Sequence, residues 1–297
     1  GRPSNPLINA GAIVSTSLVR AGGPEERWER IRARLSAFAG RELALDDAVY
    51  ASEASTGDRN RALAHLAASS GVLGAPVHDS VDTYFRQCSL TVTARDLAVM
   101  GATLANSGTN PLTGDVVIQE ATAVTTLSVM ATCGMYDDSG EWMVRVGLPA
   151  KSGVGGGIVA VQPAEFGIGT FSPRLDERGN SIRGIATIQD LSATFGLHLL
   201  NHHKVPRSAV ASVEQSNDQM TILLRGELDF IAMEEVAALL VEFGVRNGGR
   251  GGVVTIDVTN VTLVRPAVEH FLLNASDRLA RFGVILQVHD AATDHDE

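Results

Sequence analysis

Pro149-Ala-Lys-Ser-Gly-Val-Gly-Gly-Gly-Ile-Val-Ala-Val161 is the stretch from which the fold is read. A lysine and a serine lead into a glycine run. The short apolar segments Ile158–Val161 and Phe166–Phe171 then read as two strands of a hairpin. The chain on either side reads as helix. Ile8–Arg20 is small and apolar throughout, and Asp58–Ser70 carries Leu63, Leu66 and Ala67 at helical spacing. Thr93-Ala-Arg-Asp96 has the form of a capping box ahead of Leu97, Met100, Ala102 and Leu104. Gln119–Ala131 and Ser181–Leu197 complete the helical set. A mostly helical body with a small antiparallel sheet late in the chain is an α+β arrangement.

From Val205 the pattern changes. Val210–Val213, Met220–Leu224, Gly252–Val258 and Val284–Val288 read as strands, with amphipathic helices over Ala232–Phe243 and Pro266–Arg281. A β-β-α-β-α-β order over about ninety residues is an α/β domain. The expected division is therefore 1–204 and 205–297, with Asn201-His-His-Lys-Val-Pro206 as linker.

The chain has 297 residues, enough for two ordinary domains, and a net charge of −10. Residues 205–297 carry 7 basic and 14 acidic side chains, so the tail is the more acidic part. That balance argues against nucleic acid as a partner. No apolar run approaches the roughly 18 residues that a membrane span needs. Cys88 and Cys133 are too few for a disulfide framework, which fits a reducing cytoplasm, and each reads as a small buried side chain. The eight histidines show no ligand spacing, and Trp28 and Trp142 read as packing residues.

Three clusters carry candidate chemistry. Asn5-Pro-Leu-Ile-Asn9-Ala-Gly11 sets two carboxamides four residues apart at a helix start, where capping also explains them. Glu53 and Gly57-Asp58-Arg59-Asn60 combine an acid suited to an ammonium group with a helix N-terminus and a further carboxamide; Asp58 and Arg59 read as a local pair or cap. Cys133-Gly-Met-Tyr136 precedes the lysine-bearing edge strand, whose cation and backbone N–H groups are the parts of an oxyanion hole. Lys151-Ser152-Gly153 resembles the Lys-Thr-Gly element of serine β-lactamases and penicillin-binding proteins.

Taken in order, Pro3–Ile13, Ser55–Asn60, Asp82–Ser89, Cys133–Asp137 and Pro149–Val154 resemble the glutaminase family, of serine β-lactamase-like fold, across residues 1–200. The resemblance implies hydrolysis of L-glutamine to L-glutamate and ammonia without metal or organic cofactor. It implies that Asn9, Asn60 and Tyr84 contact the substrate's amino-acid end and that Glu53 faces its α-ammonium. Tyr136 would be the proton shuttle, helped by a nearby positive charge, with Lys151 supplying positive potential and the Val154 N–H half of the oxyanion hole. These residues are expected around one cavity shaped for a small zwitterion. The family nucleophile is the serine of Ser-x-x-Lys. The only lysines are Lys151 and Lys204, preceded three residues earlier by Leu148 and Asn201, so no such motif occurs. With Gly1 at the start, the expectation is an N-terminally truncated, inactive catalytic domain, since losing a nucleophile costs on the order of a million-fold.

Leu224–Phe230 and Val254–Thr262 resemble STAS domains, the fold of bacterial anti-sigma-factor antagonists. Arg265-Pro-Ala-Val268 stands where the family often carries a phosphorylated serine, so a phosphorylation switch is not expected. Asp257 reads as capping a strand end. The resemblances imply a homo-oligomer and a protein partner for the tail. Two alternatives remain open: a penicillin-recognising hydrolase of the same fold, which Glu53 and the asparagine segments disfavour, and an inactive module that binds glutamine or a partner.

Overall fold

Thr93 begins the helix on which the first part of the molecule is assembled. The computed structural model describes residues 2–201, 208–248, 250–264 and 266–290. It divides into two units, Gly1–Gln189 and Asp190–Glu297. The expected linker lies outside the described residues except for Asn201.

The first unit runs through α1 (Asn9–Ser17), α2 (Pro24–Ala39), α3 (Asp47–Thr56), α4 (Asp58–Ser69), α5 (Val77–Cys88), α6 (Ala94–Ala105) and α7 (Glu120–Cys133). A 3-10 turn over Tyr136–Asp138 leads to α8 (Ser139–Arg145), then to β1 (Ala150–Ser152), β2 (Gly157–Gln162) and β3 (Phe166–Phe171). Helix α9 (Ile182–Phe195) crosses the division between units. The three strands form an antiparallel sheet with β1 at one edge.

The capping box expected at Thr93 is present: Thr93 Oγ1 accepts from Asp96 N–H at 3.2 Å, and Asp96 Oδ2 accepts from Thr93 N–H at 2.7 Å. Arg41 grips the same carboxylate with Nε and Nη2 at 2.8 and 2.6 Å. Helix α6 then lies directly on β2 and β3. Gly167 and Gly169 make this approach close, because a Cβ there would come within 2.3 and 2.0 Å of the α6 backbone. Beneath it, Leu104, Ala105, Ala123, Met130 and Val161 form one core; Ile13, Ala64, Val81 and Phe85 form a second among α1, α4 and α5.

Leu66 departs from the helical-spacing expectation and is 56% exposed. The buried stripe of α4 is Ala64 and Ala67, whose small side chains let the helix pack closely on α1 and α5. Trp28 and Trp142 are buried as packing residues, and Trp142 Nε1 donates to Leu148 O at 2.7 Å.

The second unit contains β4 (Val210–Gln215), β5 (Gln219–Leu228), α10 (Phe230–Arg246), β6 (Gly252–Val264), α11 (Pro266–Ala280) and β7 (Val284–His289). Its sheet has the order β4-β5-β6-β7, the first pair antiparallel and the others parallel. Alternate residues Met220, Ile222 and Leu224 meet Val254 and Ile256 and the apolar stripes of both helices, including Val236, Leu240, Phe243, Val268 and Leu279. Strand β6 runs six residues beyond the expected Val258, pairing with β5 as far as Leu228–Val264. Asp257 therefore sits within a strand, not at its end, and accepts from Thr259 N–H and Oγ1 at 2.9 and 2.7 Å. Among the described residues no helix is long and apolar enough to cross a membrane.

Arg41, and then Thr93, hold the Asp96 carboxyl well below its usual range. A depressed folded-state pKa stabilises the fold above the unfolded value of about 3.9, and that contribution fades as pH falls through the folded value. Asp96→Ala should cost at least the roughly 1 kcal/mol of a lost cap at pH 7. In urea unfolding its deficit against the parent chain should shrink progressively below about pH 4; a deficit independent of pH contradicts this.

Candidate active site

The last turn of α7 and the edge strand β1 meet at one hydrogen bond, from Ser152 N–H to Gly134 O at 3.1 Å. Glycine is required there, because a Cβ on residue 134 would stand 1.7 Å from Ala150 O. Ala150 and Ser152 point into the core and Lys151 points the other way, following strand alternation. Its Nζ lies 4.5 Å above the centre of the Tyr136 ring, a cation–π contact, and also donates to Ser152 O. Burial lowers the Lys151 ammonium to about 8, against the opposing pull of Cys133 and Cys88. Burial, with Cys88 a lesser cause, pushes the Tyr136 phenol up. Tyr136 therefore carries its proton at neutral pH. The positive charge expected near Tyr136 is Lys151, set against the face of the ring. Tyr136 has φ of 55°, a left-handed backbone uncommon for a side chain of this size.

Tyr84 and Cys88 stand one turn apart on α5, close enough to act on each other's ionisation. Burial, then Cys88, and more weakly Glu53 and Tyr136, push the Tyr84 phenol up. Burial likewise raises the Cys88 thiol, while Tyr84 and Lys151 pull it back. Glu53, near the end of α3, Tyr84, Cys88, Tyr136 and Lys151 thus lie within reach of one another's charge. Cys88 is exposed at the surface although its thiol is hemmed in closely enough to be raised, and Cys133 is half-buried; neither is the fully buried apolar residue expected.

Asn9 and Asn60 form a second group. Asn5 Oδ1 takes the N–H groups of Leu7 and Ile8 at 3.0 and 3.2 Å, so Asn5 serves the turn before α1. Asn9 instead donates from Nδ2 to Asn60 Oδ1 at 2.9 Å, leaving the Asn60 NH2 out of that bond. Asn60 and Glu53 flank Gly57, the break between α3 and α4, and α5 packs against α1, α3 and α4 alike. Val154 is 72% exposed in the turn after β1, and its N–H donates to no backbone carbonyl among the described residues. Gly179 adjoins both Val154 and Tyr136: a Cβ there would lie 3.7 Å from Val154 Cγ1 and 3.8 Å from Tyr136 Cε2.

The sequence assigns no site role to Cys88, Gly134 or Gly179, although Cys88 and Gly134 lie within the segments that carry the resemblance. For Cys88 the available signal was its place four residues after Tyr84 on one helix face. Grooves of about 440 and 640 Å³ open along α2, but none of the expected site residues lines them. No three His, Cys, Asp or Glu side chains among the described residues group as metal ligands.

The helical body, the edge strand bearing Lys-Ser-Gly and the tyrosine stacked on that lysine form the arrangement expected of a β-lactamase-like fold. A sequence model described as Glutaminase matches residues 1–200. Glutaminase 1 of Bradyrhizobium diazoefficiens is 53% identical over 208 residues, covering 70% of this chain and 34% of that protein. The glutaminase of Corynebacterium efficiens is 40% identical over 291 residues, covering 97% of this chain and 68% of its own length. A crystal structure of Mglu superposes with a TM-score of 0.65 at 37% identity, covering 96% of this chain and 71% of that one. The Bacillus subtilis glutaminase YbgJ, solved as a covalent complex with 5-oxo-L-norleucine, gives 0.63 at 34% identity over 65% of this chain and 69% of its own. The chain belongs to the glutaminase family. It spans about a third of the Bradyrhizobium protein.

Since the chain has only two lysines, NMR of labelled lysine side chains resolves the buried one. One signal should titrate with a midpoint of about 8 and vanish in Lys151→Arg. Two signals both titrating above about 10, the ordinary range, contradict the burial of Lys151.

Proposed function

We propose that residues 1–204 form the amino-acid pocket and proton-transfer side of an enzyme that hydrolyses L-glutamine to L-glutamate and ammonia. Glutamine brings one cation and one anion at its α-carbon, and a selective pocket must pair both as it removes their water. Glu53 takes the α-ammonium. The Asn9 and Asn60 amides take the α-carboxylate, with Tyr84 closing that end. The side-chain amide then points toward Tyr136, Lys151 and the Val154 N–H, which receives charge developing on the carbonyl oxygen.

Tyr136, neutral at the start, passes a proton between nucleophile and leaving ammonia: it accepts on its oxygen while releasing its own proton. Lys151 steadies the ring from below. The observation that carries this reading is the stack of Lys151 on Tyr136 beside the Tyr84–Glu53 group, which gives one end of the site an anion and the other a cation. The attacking serine belongs to a Ser-x-x-Lys motif that these 297 residues do not contain. For residues 205–297 we propose a STAS-like module that binds a protein partner or another copy of the chain. The β4-β5-β6-β7 sheet with α10 and α11 against one core supports it.

The chain alone should release ammonia from glutamine no faster than background. In a longer protein with a Ser-x-x-Lys segment ahead of Gly1, steady-state assays should show turnover of glutamine and none of nitrocefin. There Glu53→Gln should raise KM about 10- to 100-fold, as expected for a lost charge-assisted contact. Tyr136→Phe should lower kcat about 100- to 10,000-fold. Turnover of nitrocefin alone, or a Glu53→Gln enzyme with unchanged KM, would sink the assignment.

A further inference from the structure

The left-handed backbone at Tyr136 needs something to hold it, and two buried polar side chains outside the proposed site do so. Met135 N–H donates to Ser139 Oγ at 3.0 Å, and the Ser139 hydroxyl donates to Tyr136 O at 2.9 Å. Asn180, completely buried, donates from Nδ2 to Met135 O at 3.4 Å and to Asp138 Oδ2 at 3.0 Å. The peptides on both sides of the strained residue are thus tied, one to the start of α8 and one to the loop before α9.

That loop is itself braced. Asp176 Oδ1 accepts from the N–H groups of Arg178 and Asn180 at 3.0 and 2.9 Å, and Arg178 reaches back to Asp138. The same turn sets Gly179 against the Tyr136 ring edge and Val154. A residue held in a sparsely populated conformation persists only where its surroundings over-determine it, and such residues gather at functional sites.

We infer that Ser139 and Asn180 are positioning residues for Tyr136: they hold its backbone in the turn that seats the phenol ring on Lys151 and beside Val154. Removing either frees the peptide to relax to ordinary right-handed geometry, which swings the ring off the lysine. The catalytic consequence rests on the proton-relay reading of Tyr136 given above; the positional claim does not.

Lys151 lies across the Tyr136 ring and Cys88 helps raise its phenol, while Tyr136 and Glu53 both act on Tyr84. The chain has three tyrosines, Tyr50, Tyr84 and Tyr136, so tyrosinate absorbance can be followed on the chain itself. Subtracting the Tyr136→Phe titration isolates the Tyr136 component. In Ser139→Ala and Asn180→Ala that component should move down toward the ordinary tyrosine value of about 10 as the ring leaves its burial. The other two should stay in place, and Ser139→Thr, which keeps the hydroxyl, should titrate like the parent. Should Asn180→Ala fail to fold, Asn180→Asp removes the same donor at the same size. A Tyr136 component unmoved in folded variants overturns the inference, as does a common shift of all three tyrosines, which reports general loosening.

In the longer, active protein the same variants should lower kcat about 10- to 100-fold, the scale of a misplaced reacting group, with KM within about twofold. A shifted titration with unchanged kcat would reject the relay role of Tyr136 and leave the positioning intact. A lowered kcat with an unshifted titration would reject the positioning.

Discussion

The site depends on how closely the end of α7 approaches the edge strand β1. The Ser152–Gly134 hydrogen bond closes that approach, and the missing side chain at Gly134 permits it. A strand this short turns each side chain decisively: Ala150 and Ser152 go inward, so Lys151 must go outward. Tyr136 emerges two residues after Gly134, on the far side of the same contact.

Around this contact the remaining site residues arrive from a different layer. Helix α5 brings Tyr84 and Cys88, and Glu53 and Asn60 lie on either side of the α3–α4 break packed against it. The two layers differ in electrostatic character. Burial raises the phenols and the thiol and lowers the ammonium, so the neutral forms are favoured toward the Tyr136 end. On the proposed reading, Glu53 supplies the anion at one end of the site and Lys151 the cation at the other.

The readable parts of the sequence were those in which one local rule acts alone. The Thr93 capping box, the hairpin after Gly157 and the alternating strands of the second unit all follow from caps, glycines and period-two patterning. Helices α2, α3, α5 and α8 are not legible from pattern in the same way. In α3 no residue is fully buried, so it carries no apolar stripe to detect. The full reach of β6 is hidden because Thr259, Asn260 and Thr262 look like loop residues, while pairing with β5 resumes at Asn260 and again at Leu263 across two irregularities in the register. The lysine–tyrosine stack joins residues fifteen apart through a left-handed turn, and periodicity does not encode such a turn. Matching segments named these residues; packing alone gives their spatial relation. Burial statistics for cysteine describe cores, whereas Cys88 stands on the surface of α5 one turn from Tyr84.

The most direct test is a crystal structure, with L-glutamate bound, of a longer protein carrying a Ser-x-x-Lys segment ahead of Gly1. The α-ammonium should meet the Glu53 carboxylate, the α-carboxylate should lie by the Asn9 and Asn60 amides, and the side-chain carboxylate should lie between Val154 N–H and the Tyr136–Lys151 stack. Density with the α-carboxylate seated on Lys151, or a ligand bound away from all of these groups, would contradict it.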